Sequence, residues 1–148
     1  MAKPIVYTGG SFDLPHPGHY KLLERASHFG RVVVALNLDD FYEKYKGKKF
    51  VLSYEERREI LLSCKWVYDV VPNVGGADSK IAIDIVKPDY IVIGSDWATR
   101  DYYAQMGFTQ EWLDERGIGM IYLPYTKGVS STDIKKRVEE RNVTKKSI

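Results

Sequence analysis

The chain has 148 residues, 22 Lys and Arg against 20 Asp and Glu, and a formal net charge of +2. That length suits one domain with a real core, and the balanced charge excludes the broad positive field of a general nucleic-acid or membrane-surface binder. A single cysteine, Cys64, excludes an internal disulfide framework, and no run approaches the ~20 apolar residues of a spanning helix, so a cytoplasmic enzyme or binding protein with no membrane span is expected.

In chain order, Ile5 to Thr8 reads as a first strand ending at Gly9-Gly10. Gly18 to Phe29 reads as a helix with Leu22, Leu23 and Ala26 on one face and Gly30 as its left-handed terminator. Arg31 to Asn37 is a nearly continuous apolar run, as in a strand covered on both faces. Asp39 to Tyr45 is a short helix, followed by the basic loop Lys46-Gly47-Lys48-Lys49. Ser53 and Glu56 form a capping box that opens a helix to about Cys64. Trp66 to Val71 is a third strand, Asp78 to Val86 a helix, and Tyr90 to Ile93 a fourth strand before the turn Gly94-Ser95-Asp96-Trp97. Glu111 to Arg116 is a helix ended by Gly117, and Met120 to Leu123 is a fifth strand. Ser131 to Glu140 is a last helix capped by Ser130 or Ser131, leaving a polar, frayed tail, Arg141 to Ile148. This alternation predicts a single α/β domain over residues 1–140: an open parallel five-stranded sheet with helices on both faces and a tail at 141–148. In such a sheet ligands sit beyond the C-terminal strand ends, where the loops 9–19, 94–97 and 124–131 converge.

Two stretches carry chemistry. Gly9-Gly10-Ser11-Phe12-Asp13-Leu14-Pro15-His16-Pro17-Gly18-His19 joins a strand to a helix start, an arrangement that presents N–H groups to phosphate. His16 and His19 lie three residues apart on one helix face and can address one ligand. Thr126-Lys127-Gly128-Val129-Ser130-Ser131-Thr132 gathers hydroxyls and N–H groups at another helix start, a second anion cradle.

With His16-Pro17-Gly18-His19 in that setting, the chain resembles the nucleotidylyltransferase superfamily that carries a His-x-Gly-His signature. Ser53 to Arg58, Gly94 to Trp97, Leu123-Pro124 and Thr126 to Thr132 are similar in order and spacing to the cytidylyltransferase branch, closest to the glycerol-3-phosphate cytidylyltransferases. The resemblance covers roughly residues 4 to 140 and implies a Rossmann-like fold. It implies reaction of CTP, with Mg2+, and a phosphorylated small alcohol to a CDP-alcohol and pyrophosphate by in-line attack on the α-phosphate. It implies that His16, His19 and Lys46 act in catalysis. Nucleotide contacts fall to Gly10, Ser11, Phe12, Asp13, Gly18, Asp96, Thr126, Gly128, Val129, Ser130, Ser131 and Thr132. Lys46, Lys48, Arg57, Lys80, Trp97 and Tyr125 are the substrate-binding candidates, and Asp13 has a second possible role at a divalent cation or in orienting its loop. A homodimer is also implied. The chain departs from the branch at Tyr125, where the pattern has arginine; a bidentate phosphate donor becomes a phenol, which points to a shifted acceptor. The alternatives are an adenylyltransferase of the same fold acting on a sugar phosphate or flavin nucleotide, and a non-catalytic nucleotide-sensing module.

Overall fold

A computed structural model describes residues 3–47, 49–94, 106–124 and 130–147. The elements run β1 (Ile5–Gly10), α1 (Pro17–Ser27), β2 (Arg31–Leu36), α2 (Asp39–Lys46), α3 (Tyr54–Leu62), β3 (Val67–Pro72), α4 (Lys80–Val86), β4 (Tyr90–Gly94), α5 (Gln110–Arg116), β5 (Gly119–Leu123) and α6 (Ser131–Ser147). The five strands form one sheet in the order β3-β2-β1-β4-β5, and every pair is parallel.

Apolar runs on β1, β2 and β4 are needed because both sheet faces are covered. On one face Val6, Val32, Val34 and Leu36 pack against Leu23 and Ala26 of α1 and Leu61 of α3. On the other, Tyr7, Ala35, Ile91 and Ile93 pack against Ala82 and Ile83 of α4 and Leu113 of α5. Fully burying one such Leu, Ile or Val side chain contributes about 1.5–3 kcal/mol, so the two faces together hold the sheet rigid beneath its loops.

The sheet is not evenly zipped. β1 pairs with β2 along its whole length, from Ile5 opposite Arg31 to Gly10 opposite Leu36. Between β1 and β4 the register holds only Val6 opposite Tyr90 and Tyr7 opposite Ile91. Beyond Tyr7 the two strands part, although β1 continues to Gly10 and β4 to Gly94. This opening lies at the reversal of strand order, where an open α/β sheet forms its ligand crevice.

Most sequence-derived boundaries hold within one or two residues. Ser53 and Glu56 make the expected capping box, with the Glu56 N–H donating to Ser53 Oγ at 3.2 Å and the Ser53 N–H to Glu56 Oε1 at 3.0 Å. Gly117 ends α5 at φ 66°, as predicted. Two expectations are corrected. Gly30 is not a left-handed helix terminator; its φ is 155°, and it is glycine because a Cβ would meet the Pro4 carbonyl oxygen at 2.2 Å. The tail beyond residue 140 is not frayed coil, because α6 continues to Ser147. Among the described residues no helix is long and apolar enough to cross a membrane.

Candidate active site

The loop from Gly10 to His16 sits on the C-terminal rim beside the opening between β1 and β4. Its backbone is unusual. Phe12 and Leu14 both have positive φ, 47° and 52°, a region that costs a non-glycine residue on the order of 1–2 kcal/mol. Neighbouring elements hold it there. Phe12 is 6% exposed and packs into the core face that contains Leu23. The Ser11 hydroxyl accepts from Asn37 Nδ2 at 2.9 Å, and the Ser11 carbonyl accepts from Arg57 Nη1 at 2.9 Å.

Helix α1 starts in an unexpected way. His16 is its N-cap, and Pro17 occupies the first helical position, where a missing N–H costs nothing. The Gly18 N–H donates to His16 Nδ1 at 3.1 Å, and the His16 N–H donates to His19 Nδ1 at 3.2 Å. The two imidazoles thus form a reciprocal capping box. Their rings stack with centroids 3.8 Å apart and planes 25° from parallel, and Phe12 lies 4.9 Å from the His19 ring.

This geometry fixes the chemistry of the pair. With each Nδ1 accepting, the proton of a neutral ring resides on Nε2. Burial first, and then the adjacent His16 ring, together push His19 down from the ordinary 6.5 to about 4. Burial also lowers His16. Both rings are therefore neutral Nε2–H donors near neutral pH. The N–H of Gly18, a nucleotide-contact candidate, donates to His16 Nδ1, and the His19 N–H goes to the His16 carbonyl. At this helix start imidazoles stand in for backbone donors.

Asp13 is 4% exposed and accepts the Val51 and Leu52 N–H groups at 2.8 and 2.9 Å. Lys135 of α6 lies 3.5 Å away. One carboxylate therefore fastens the 50–52 loop and the last helix to the histidine loop. The N–H groups received by both oxygens give Asp13 the loop-orienting role, one of its two alternatives. Among the described residues no group of three or more His, Cys, Asp or Glu side chains is placed to hold a metal.

Arg57, a substrate-binding candidate, is turned into the interior. Its side chain is fully buried, and it donates to the Leu52, Ser11 and Asn37 carbonyls at 3.1, 2.9 and 2.8 Å and to Asp39 Oδ1 at 2.9 Å. It is the bracket under the histidine loop. Asn37 and Asn73 extend the bracket, with Asn73 Nδ2 donating to Asn37 Oδ1 at 2.8 Å and to the Gly76 carbonyl at 3.1 Å. The sequence reading did not single out either asparagine or Lys135.

Of the other candidates, Lys46 closes α2, where Gly47 at φ 65° turns the chain. Lys80 opens α4 on the same rim, its N–H donating to Asp78 Oδ1 at 3.1 Å. Ser130 caps α6, its Oγ accepting from the Asp133 N–H at 3.0 Å. Ser131 begins that helix, and Thr132 is exposed. The Lys135–Asp13 contact brings the start of α6 to the histidine loop, as the two-cradle reading requires. Lys48, Asp96, Trp97, Tyr125, Thr126, Gly128 and Val129 lie outside the described residues.

The family model described as "Cytidylyltransferase-like" matches residues 7–137. The chain belongs to the cytidylyltransferase-like family. It is similar to the glycerol-3-phosphate cytidylyltransferase of Bacillus subtilis, 37% identical over 139 residues that span 93% of this chain and 98% of the relative. The enzyme of the same name from Bacillus spizizenii is 42% identical over 139 residues, 92% of this chain and 96% of the relative. Among solved structures, the lipopolysaccharide core biosynthesis protein of Thermoplasma volcanium shares the fold, with a TM-score of 0.66 at 24% identity over 85% of this chain and 98% of that one. In this cytidylyltransferase-like nucleotidyltransferase the stacked histidine pair and the start of α6 lie together at the C-terminal rim of the sheet.

Proposed function

We propose that this protein transfers the cytidylyl group of CTP to a phosphorylated small alcohol, glycerol 3-phosphate first, releasing pyrophosphate. The observation that carries the reading is the stacked His16–His19 pair, held by its own Nδ1 atoms so that two Nε2–H donors are presented together. The relatives' shared name, glycerol-3-phosphate cytidylyltransferase, supports the choice of nucleotide and acceptor.

In this reaction an acceptor phosphate oxygen attacks the α-phosphorus in line, and pyrophosphate leaves from the opposite side. Charge builds on the equatorial and leaving oxygens, so the protein works by positioning and by electrostatic stabilisation. The Nε2–H groups of His16 and His19 donate to α- and β-phosphate oxygens. The Ser11 and Phe12 N–H groups and the Ser130, Ser131 and Thr132 hydroxyls surround the phosphates, with Gly10, Thr126, Gly128 and Val129 shaping the two loops. Lys46 and Lys48 neutralise the triphosphate and acceptor charge, Lys80 the acceptor phosphate, and Asp96 and Trp97 enclose base and ribose. Mg2+ enters on the triphosphate, which supplies most of its ligands in sites of this class; no described residue is assigned to it. The protein acts in the cytoplasm as a homodimer, an expectation that sedimentation at several concentrations checks.

The deciding experiment incubates the protein with each nucleoside triphosphate and a panel of phosphorylated alcohols, and reads pyrophosphate release and product mass. A CDP-alcohol with CTP alone supports the reading. Turnover with ATP and not CTP makes the chain an adenylyltransferase, and nucleotide binding without turnover makes it a sensor. Tyr125→Arg tests the acceptor: a changed preference across the panel is expected, and an unchanged one removes the idea that this position shifted it.

A further inference from the structure

Four buried side-chain polar atoms lack a hydrogen-bond partner among the described residues: Tyr7 Oη, Arg31 Nε, Asn73 Oδ1 and Asp133 Oδ2; of their residues only Tyr7 is an otherwise wholly apolar core side chain. Tyr7 is fully buried in β1, and among the described residues its hydroxyl has no hydrogen-bond partner. Leaving such a group unpaired is costly, and phenylalanine would fill the same space without that cost. Its position gives the hydroxyl a use. Tyr7 is the last β1 residue in register with β4, so it lies at the base of the opening between those strands. Two residues further on the same strand face, Gly9 is exposed. A Cβ at Gly9 would stand 3.3 Å from Tyr7 Oη and 3.7 Å from the Ala35 carbonyl oxygen. Glycine therefore places no side chain over the buried phenol, and the Tyr7 hydroxyl and the Ala35 carbonyl oxygen border the space a Cβ would take, the notch that an entering group would use.

Resting on the reaction proposed above, we propose that Tyr7 reads the acceptor: its O–H donates to a neutral hydroxyl of the phosphorylated alcohol, which enters through the notch left by Gly9. The side of the sheet selects the acceptor over the nucleotide. Phe12, against which His19 packs, belongs to the α1 face. Tyr7 belongs to the opposite face, with Ala82 and Ile83 of α4, whose first residue is Lys80. A phosphate captured near Lys80 leaves its carbon chain on the Tyr7 side. A neutral phenol suits an alcohol hydroxyl, and burial raises the Tyr7 pKa, so the group stays a donor. No covalent step is involved. A site built to bond a hydroxyl also discriminates against acceptors that lack it.

The test compares wild type with Tyr7→Phe and Gly9→Ala, using CTP with glycerol 3-phosphate and its two deoxy analogues, 3-hydroxypropyl phosphate and 2-hydroxypropyl phosphate. For Tyr7→Phe, kcat/KM for glycerol 3-phosphate is expected to fall about tenfold. The KM for CTP stays unchanged, the unfolding midpoint is unchanged or higher, and the preference over one analogue disappears. Gly9→Ala, whose methyl fills the notch, is expected to raise KM for glycerol 3-phosphate and leave that for CTP in place. Wild-type preference for both deoxy acceptors, a Tyr7→Phe enzyme that keeps the wild-type acceptor ratios, or a Gly9→Ala enzyme with wild-type kinetics overturns the proposal while leaving the cytidylyl-transfer reading intact. Absence of wild-type turnover with every acceptor overturns both.

Discussion

His16 and His19 cap one helix for each other: His16 Nδ1 takes the Gly18 N–H, and His19 Nδ1 takes the His16 N–H. The side chains thus have a structural end and a chemical end. Asparagine separates the two in His16→Asn, because its amide oxygen caps as well as any residue but cannot place a donor where Nε2–H stands. His16→Asn is expected to stay within about 0.5 kcal/mol of wild-type stability and to lose about 100- to 1000-fold in turnover, the usual effect of removing one donor to a developing oxyanion. His16→Ala loses the same turnover and about 1 kcal/mol of stability besides. Denaturant midpoints and pyrophosphate release measure the two effects.

The same hydrogen bonds make the fold sensitive to acid. Protonating either ring puts a proton on Nδ1 and breaks its cap, consistent with both rings being lowered, His19 to about 4. A histidine with a folded pKa below its unfolded 6.5 is neutral in both states above that value, and no stability is lost there. As pH falls from 6.5 towards 4 the unfolded chain binds the proton and the folded chain does not, so stability declines. For His19 the loss between pH 7 and pH 5 is on the order of 2 kcal/mol, read from the urea midpoint. On the proposed reading, CTP is expected to reverse the balance by bringing negative charge to the rings. Its binding is expected to take up protons near pH 6, visible as a buffer-dependent heat in calorimetry.

Asp13 offers a second separation of roles. Its oxygens receive the Val51 and Leu52 N–H groups, and an asparagine can accept one of these but faces the other with its NH2. Asp13→Asn is therefore expected to cost about 1–3 kcal/mol and to raise the KM for CTP through the loosened loop. The Mg2+ concentration for half-maximal activity is expected to stay at its wild-type value. A large rise in that concentration, with stability intact, would return Asp13 to the metal.

The sequence carried the fold well because its signals were local. Continuous apolar runs marked doubly covered strands, and Ser53 with Glu56 marked a helix start that forms as read. The histidine loop was legible through its residue types, but the partition of each imidazole into Nδ1 cap and Nε2 donor was not. That depends on Pro17 and Gly18 leaving the first turn short of other cap partners. Arg57 misled for a different reason. One turn into a helix whose capping matches the family, it reads as a substrate-binding candidate, and only the tertiary approach of the Ser11 and Asn37 carbonyls makes it interior. Asn37 and Asn73 sit at strand ends, where an asparagine reads as a turn residue, and their bond spans 36 positions. No local pattern encodes it.

Arg57 supplies the sharpest stability test. Its guanidinium satisfies three carbonyls and Asp39 at once, and only a planar fork can do so. Arg57→Lys keeps the charge but reaches at most part of this set, leaving buried carbonyls unpaired at about 1–3 kcal/mol each. Arg57→Met removes the charge as well and is expected to cost about 3–5 kcal/mol. Because Ser11 loses its anchor, both variants are expected to raise KM for CTP more than KM for the acceptor. Saturating CTP should restore most of kcat in Arg57→Lys, since the residue touches no reacting atom. A kcat collapse that excess CTP fails to relieve, in a variant with a wild-type unfolding midpoint, would show that the guanidinium reaches the phosphates in the working enzyme.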